Sequence, residues 1–155
     1  MDNPVEPGKV DLKTFYTKED DFMTDVGFDK NHVYAFEKVY STENNFAKLE
    51  RIENADPKTY VRTDWEWSND KQHRYYKNKL INVDFDSFEN INRTFSKDSN
   101  LVYNHFNQYF RPIAADIETF KVFDIDGFAM DSLNVYCMTY PSENQKGTKL
   151  VAIPR

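Results

Sequence analysis

A single cysteine, Cys137, excludes an intrachain disulfide, and four glycines supply neither a phosphate-cradling loop nor a Gly-x-Ser-x-Gly nucleophile elbow. Three histidines occur, His32, His73 and His105, with no His-x-x-x-His spacing, and no Cys-x-x-Cys pair accompanies them. Asp124-Ile-Asp126-Gly127 resembles the start of a calcium loop, but the closing bidentate Glu is absent. Neither a metal nor a cofactor is therefore expected. No apolar run approaches the roughly 18 residues of a membrane helix, so no membrane span is expected either. The first residues, Met1 to Pro7, are polar and hold no secretory apolar core. That fits a cytoplasmic protein, or an envelope or periplasmic one whose export signal has been removed.

Aromatic rings fill the gap that scarce aliphatics leave. Apolar residues make up only 39% of the chain, yet 16% is aromatic, so large rings must supply the burial. The rings fall in a repeat. Four times an Asp is followed five residues later by a Tyr: Asp29 and Tyr34, Asp70 and Tyr75, Asp98 and Tyr103, Asp131 and Tyr136. Between them lie polar, turn-forming residues, and aromatic or β-branched residues flank the group. Each copy reads as a β-hairpin. A second element follows three of the turns: Ala55 to Tyr60, Val83 to Phe88 and Ala115 to Phe120, each a small apolar residue, Asp, two variable positions, a hydroxyl residue and an aromatic. Asp56 before Pro57 is a good helix start, so this element reads as one helical turn with Tyr60, Phe88 or Phe120 as an apolar peg.

The expected fold is mainly β: about four tandem hairpin-plus-helical-turn repeats stacked into one domain, with units at approximately 26–60, 65–88, 95–120 and 128–155 and an N-terminal extension over 1–14. The stretch 41–54 admits two readings. Phe46, Leu49 and Ile52 recur at helical spacing behind Thr42 as a cap; alternatively Ser41 to Asn45 is a turn joining two strands. The equivalent stretches elsewhere are too short for a helix, which favours the hairpin.

Charge is uneven along the chain. Residues 81–131 carry nine acidic and four basic side chains, a net of −5 within a total of −6. Asp84, Asp86, Glu89, Asp116, Glu118, Asp124 and Asp126 are candidates for an acidic face, which repels phosphate backbones and attracts a basic protein. A solvated surface that keeps the chain soluble is the simpler account of the same residues. One basic cluster opposes the trend, Lys71, His73, Arg74, Lys77 and Lys79 with Tyr75 and Tyr76 between them. It covers one hairpin, and a solvated hairpin explains it without nucleic acid. Trp65 and Trp67 are candidate interface anchors. Trp67 occupies the repeating aromatic position three before Asp70, where core packing is the plainer role, and Trp65 precedes it by two on the same strand face. Cys137 reads as a structural thiol, and the sequon Asn92-Arg-Thr94 as a chance match. Paired carboxylates of a hydrolase remain a third reading, with no spacing to choose among them.

Asp29-Lys-Asn-His-Val-Tyr34, Asp70-Lys-Gln-His-Arg-Tyr75-Tyr76 and the element Ala55 to Tyr60 resemble the bacterial DKNYY repeat family over about residues 26–136. Toward the C-terminus the likeness weakens, where Asp131-Ser-Leu-Asn134 replaces the Asp-Lys-Asn core. The resemblance implies a bacterial repeat module and supplies no catalytic residues; modules of this kind also occur as immunity proteins beside secreted toxins. The expected function is thus non-catalytic protein binding, with a basic toxin domain as partner. The alternative is an envelope or surface protein that binds glycan or another cell-surface component.

Overall fold

The computed structural model describes residues 10–40, 45–106, 109–125, 127–139 and 149–155. Among the described residues every regular element is a strand, and the strands form four antiparallel sheets. Sheet one holds β1 (Val26–Phe28), β2 (Val33–Tyr40) and β3 (Asn45–Arg51). Sheet two holds β4 (Val61–Arg62), β5 (Trp67–Asn69), β6 (Arg74–Tyr76) and β7 (Lys79–Ile81). Sheet three follows with β8 (Glu89–Asn90), β9 (Phe95–Lys97), β10 (Val102–Phe106) and β11 (Tyr109–Ile113). Sheet four has β12 (Lys121–Val122), β13 (Phe128–Met130), β14 (Asn134–Thr139) and β15 (Lys149–Pro154). Each is a meander in which neighbours in space are neighbours in sequence. In sheet one the first strand shrinks to a single bridge between Tyr16 and Phe28, closed by backbone hydrogen bonds of 2.8 and 2.9 Å.

The four Asp-to-Tyr hairpins share one register. The residue before the turn Asp always pairs with the fourth residue after it: Phe28 with Val33, Asn69 with Arg74, Lys97 with Val102 and Met130 with Val135. Opposite each Tyr stands a small residue, Gly27, Ser68, Ser96 or Ala129. All four small residues are buried, so the strand there has room only for the rings that lie over it. At Gly27 an added Cβ would come within 2.5 Å of the Phe15 ring and 2.9 Å of the Phe36 ring. Gly27→Ala is therefore expected to destabilise the chain by about 1–3 kcal/mol through overpacking. A urea midpoint equal to that of the wild type would contradict this packing.

The described part of the 41–54 stretch is mainly strand, not helix: β2 pairs with β3 from Tyr34 opposite Arg51 out to Tyr40 opposite Asn45. Residues 41–44, where the expected turn falls, lie outside the described residues, as do residues 1–9 of the expected N-terminal extension. Between β6 and β7 a two-residue turn puts both Lys77 (φ 48°) and Asn78 (φ 63°) in the left-handed region. Such a turn matches the right-handed twist of the flanking strands.

The chain divides into two compact units, Met1–Asn82 with sheets one and two, and Val83–Arg155 with sheets three and four. In the first, Val26, Phe28, Val33 and Ala35 of sheet one pack with Ala55, Tyr60 and Tyr75 of the next repeat. In the second, Phe95 of sheet three packs with Ala129, Tyr136, Phe120 and Leu150. The same faces meet in both units. Each fully buried ring contributes roughly 1.5–3 kcal/mol, which is how a chain poor in aliphatics stabilises two cores.

Candidate functional site

The repeated Asp is a folding node whose wiring is the same in all four copies. Its Oδ1 accepts two backbone N–H groups from the turn it starts: Asn31 and His32 on Asp29 (both 2.7 Å), Gln72 and His73 on Asp70 (2.8 and 2.7 Å), Asn100 and Leu101 on Asp98 (both 2.8 Å), Leu133 and Asn134 on Asp131 (2.8 and 2.7 Å). Its Oδ2 accepts the Tyr hydroxyl five residues on, at 2.6, 3.0, 2.7 and 2.7 Å in chain order. That oxygen also accepts the backbone N–H of an earlier Asp: Asp11, Asp56, Asp84 or Asp116.

These earlier residues are the Asp of the second element, so each second element completes the turn downstream of it. There are four of them, because Val10-Asp11-Leu-Lys-Thr14-Phe15 follows the same pattern and serves Asp29. The repeat therefore begins inside the expected N-terminal extension and runs peg first, hairpin second. No regular helix forms here, only a single hydrogen-bonded turn. Thr59 and Tyr60 both donate to the Asp56 carbonyl, and the chain then passes straight into β4. The Asp56 side chain accepts the amide two residues on, as a cap on that single turn does.

The hydroxyl of the second element closes the assembly. Thr14, Thr59, Ser87 and Thr119 accept the backbone N–H of the residue after the turn Asp, at 3.2, 3.3, 2.9 and 2.9 Å. That following residue reaches back to the second-element carboxylate. It does so as an ion pair in the first two copies, Lys30 to Asp11 and Lys71 to Asp56 at 3.2 Å each. In the last two it uses a hydroxyl, Ser99 to Asp84 at 3.3 Å and Ser132 to Asp116 at 3.0 Å.

This wiring sets the ionisation of the groups. Burial is the largest influence on each turn carboxyl and pushes it up, yet backbone amides outweigh it together with the Tyr hydroxyl at Asp29, Asp98 and Asp131 and the His73 side chain at Asp70. All four are lowered, Asp131 to about 2. The partner tyrosines move the other way, through burial first and the adjacent carboxylate second, Tyr136 to about 12. The second-element carboxyls, half-buried apart from exposed Asp84, are lowered as well, Asp11 by Lys30, Asp56 and Asp84 by turn amides, and Asp116 by the Thr119 hydroxyl.

The sequence-derived candidates separate accordingly. Asp84 and Asp116 belong to the nodes. Asp86, Glu118 and Asp124 are exposed, Glu89 is exposed and lies 3.6 Å from Lys97, and Asp126 lies outside the described residues. Trp67 is interior and packs on Tyr76, with ring centres 4.9 Å apart. Trp65 is not on its strand: it sits in the bend before β5, 63% exposed, with the Phe22 ring edge-on at 5.7 Å. The basic hairpin is largely met by acids, Lys71 by Asp56, His73 by Asp70 at 3.2 Å and Lys77 by Glu66 at 3.1 Å. In the sequon, Asn92 Oδ1 accepts the Thr94 and Phe95 amides, and Thr94 is buried. Among the described residues no cluster of His, Cys, Asp or Glu could hold a metal ion.

Arg62 was not visible as a structural residue. Its buried guanidinium donates to the Phe22 carbonyl at 2.9 Å, to Asn78 Oδ1 at 2.7 Å and to Asp25. Nothing local marks it, since its partners lie sixteen to forty residues away. Comparison with protein-family models, curated proteins and solved structures finds no match to this chain.

Proposed function

We infer that this chain is a non-catalytic protein-binding module, and that it acts as an immunity protein that neutralises a secreted antibacterial toxin by direct binding. The observation that carries the reading is the employment of the aspartates. All eight Asp residues of the repeat nodes have lowered pKa values, whereas a hydrolytic acid needs a raised one to hold its proton near neutrality. The acids left at the surface, Asp86, Glu118 and Asp124, suit electrostatic steering of a basic partner. Trp65 supplies an exposed ring of the type that anchors interfaces. The likeness of the Asp29 and Asp70 turns to the DKNYY repeat supports the same class of protein.

Co-expression with the product of a neighbouring toxin gene is the direct test. A co-purifying complex and rescue of growth are expected; purification of both proteins apart, with no rescue, refutes the reading. Within such a complex, Asp86→Lys with Glu118→Lys and Asp124→Lys should slow association by about tenfold or more at low salt. Unchanged association kinetics would move the interface elsewhere. Trp65 against Phe22 is also a platform on which a sugar ring could stack, which favours glycan binding as the second reading. A glycan array that shows no ligand removes it.

A further inference from the structure

We propose that the outer face of sheet four binds a second copy of this chain, head to tail, through the front of that copy's sheet one. Each sheet has two faces, set by alternation along its strands. The front carries the turn Tyr and the small residue opposite it. The back carries the residues one and three before the turn Asp and those four and six after it. In the first unit the back of sheet one is covered by the peg and front of sheet two, with Phe28 against Tyr60 at 6.2 Å. In the second unit the back of sheet three is covered by the peg and front of sheet four, with Phe95 against Phe120 at 5.5 Å and Asn104 reaching Met138 at 3.5 Å.

The back of sheet four is built to the same plan, from Phe128, Met130, Val135, Cys137, Val151 and Ile153. Phe128 and Cys137 lie in line with Val151, and Met130 and Val135 with Ile153. Among the described residues no repeat covers it: Phe128, Val151 and Ile153 are exposed, where Val26 and Phe95, three before their turn Asp as Phe128 is, are buried. An exposed sheet face this apolar marks an interaction site. The repeat interface itself says what fits there: a peg aromatic and the front of another sheet. A second copy presents those groups on sheet one, where Phe15, Phe36 and Leu49 are half-buried and the Phe15 and Phe36 rings lie 6.3 Å apart. Charge agrees. Residues 10–36 carry six acidic and three basic side chains, whereas residues 132–155 carry one acidic and three basic.

Front-to-back pairing is heterologous, so each copy keeps one free face and growth continues past the dimer unless a ring closes. Sedimentation of the full chain over a concentration series should show a mass rising to a dimer and beyond. Ile153→Lys, on the exposed outer face, should weaken that association at least about tenfold while leaving the thermal unfolding midpoint in place. Leu49→Lys blocks the other partner surface. Each variant alone should stay monomeric, and the two mixed should stop at a dimer, since one intact back meets one intact front. A wild-type chain that stays monomeric throughout overturns the proposal. So does self-association of Leu49→Lys alone, which would mean back-to-back pairing, or a mixture that forms no dimer while both variants retain their folded spectra.

Discussion

Asp98→Ala is expected to lower the unfolding free energy by about 3–5 kcal/mol, and Asp98→Asn by roughly half as much. The alanine removes four acceptor contacts at once: the Asn100 and Leu101 amides, the Asp84 amide and the Tyr103 hydroxyl. Tyr103 is buried, so its hydroxyl loses its partner without gaining water. The asparagine separates charge from shape. Its oxygen can still receive the two turn amides, and the Tyr103 hydroxyl can rotate to accept from the new NH₂. The Asp84 amide cannot rotate, and there two donors face each other. Urea denaturation of the three proteins reads the order directly. Equal stability of Ala and Asn variants would mean that the turn amides matter little, and a loss under about 1 kcal/mol for the alanine would remove the node from its place as the organising element. Because the wiring recurs, Asp70→Ala should behave alike, with His73 as an added lost contact at 3.2 Å.

The hairpins were legible because their information is local. An Asp that starts a turn and a Tyr five residues later lie within one hydrogen-bonded loop, and alternation places Val33 and Tyr34 on opposite faces without reference to the rest of the chain. The phase of the repeat was harder to read. Asp56 lies fourteen residues before Asp70 and twenty-seven after Asp29, and order along the chain cannot say which of them it serves. Only the bond from the Asp56 amide to Asp70 Oδ2 decides it. Once that is known, Asp11 and Thr14 become visible as a fourth copy, and the small residues Gly27, Ser68, Ser96 and Ala129 fall into line two positions before each turn Asp. The candidate site was less legible for a related reason. Asp84 and Asp86 look equivalent as carboxylates near the start of one repeat. One is a node residue that accepts the Ser87 amide and the Ser99 hydroxyl, and the other is plain surface. Which acid is spent on folding depends on pairing across the hairpin, and so does the exposure of Trp65 beside buried Trp67.

The same wiring fixes how stability varies with pH, and the effect should be large because it is repeated. Take the carboxyls first. Their folded pKa values lie below the ordinary value of 3.8, so their contribution is complete above that value and disappears as pH falls through the folded ones, about 2 for Asp131. Unfolded chains bind protons in that window that folded chains refuse, and each node adds to the slope. The tyrosines bound the other side. Their folded values are raised above the ordinary 10.0, so their contribution is complete below that value and is lost as pH rises toward about 12, the value for Tyr136. The expected profile is a plateau from about pH 5 to about pH 9, with steep losses at both ends. Tyr136→Phe tests the assignment, because it removes one alkaline contribution and one donor to Asp131 together. The variant should therefore show a shallower loss above pH 10 and, because the folded pKa of Asp131 moves back toward 3.8, a shallower loss in acid as well. If its profile is only displaced downward, with both slopes unchanged, the Asp–Tyr pairs are not what couples this fold to protons.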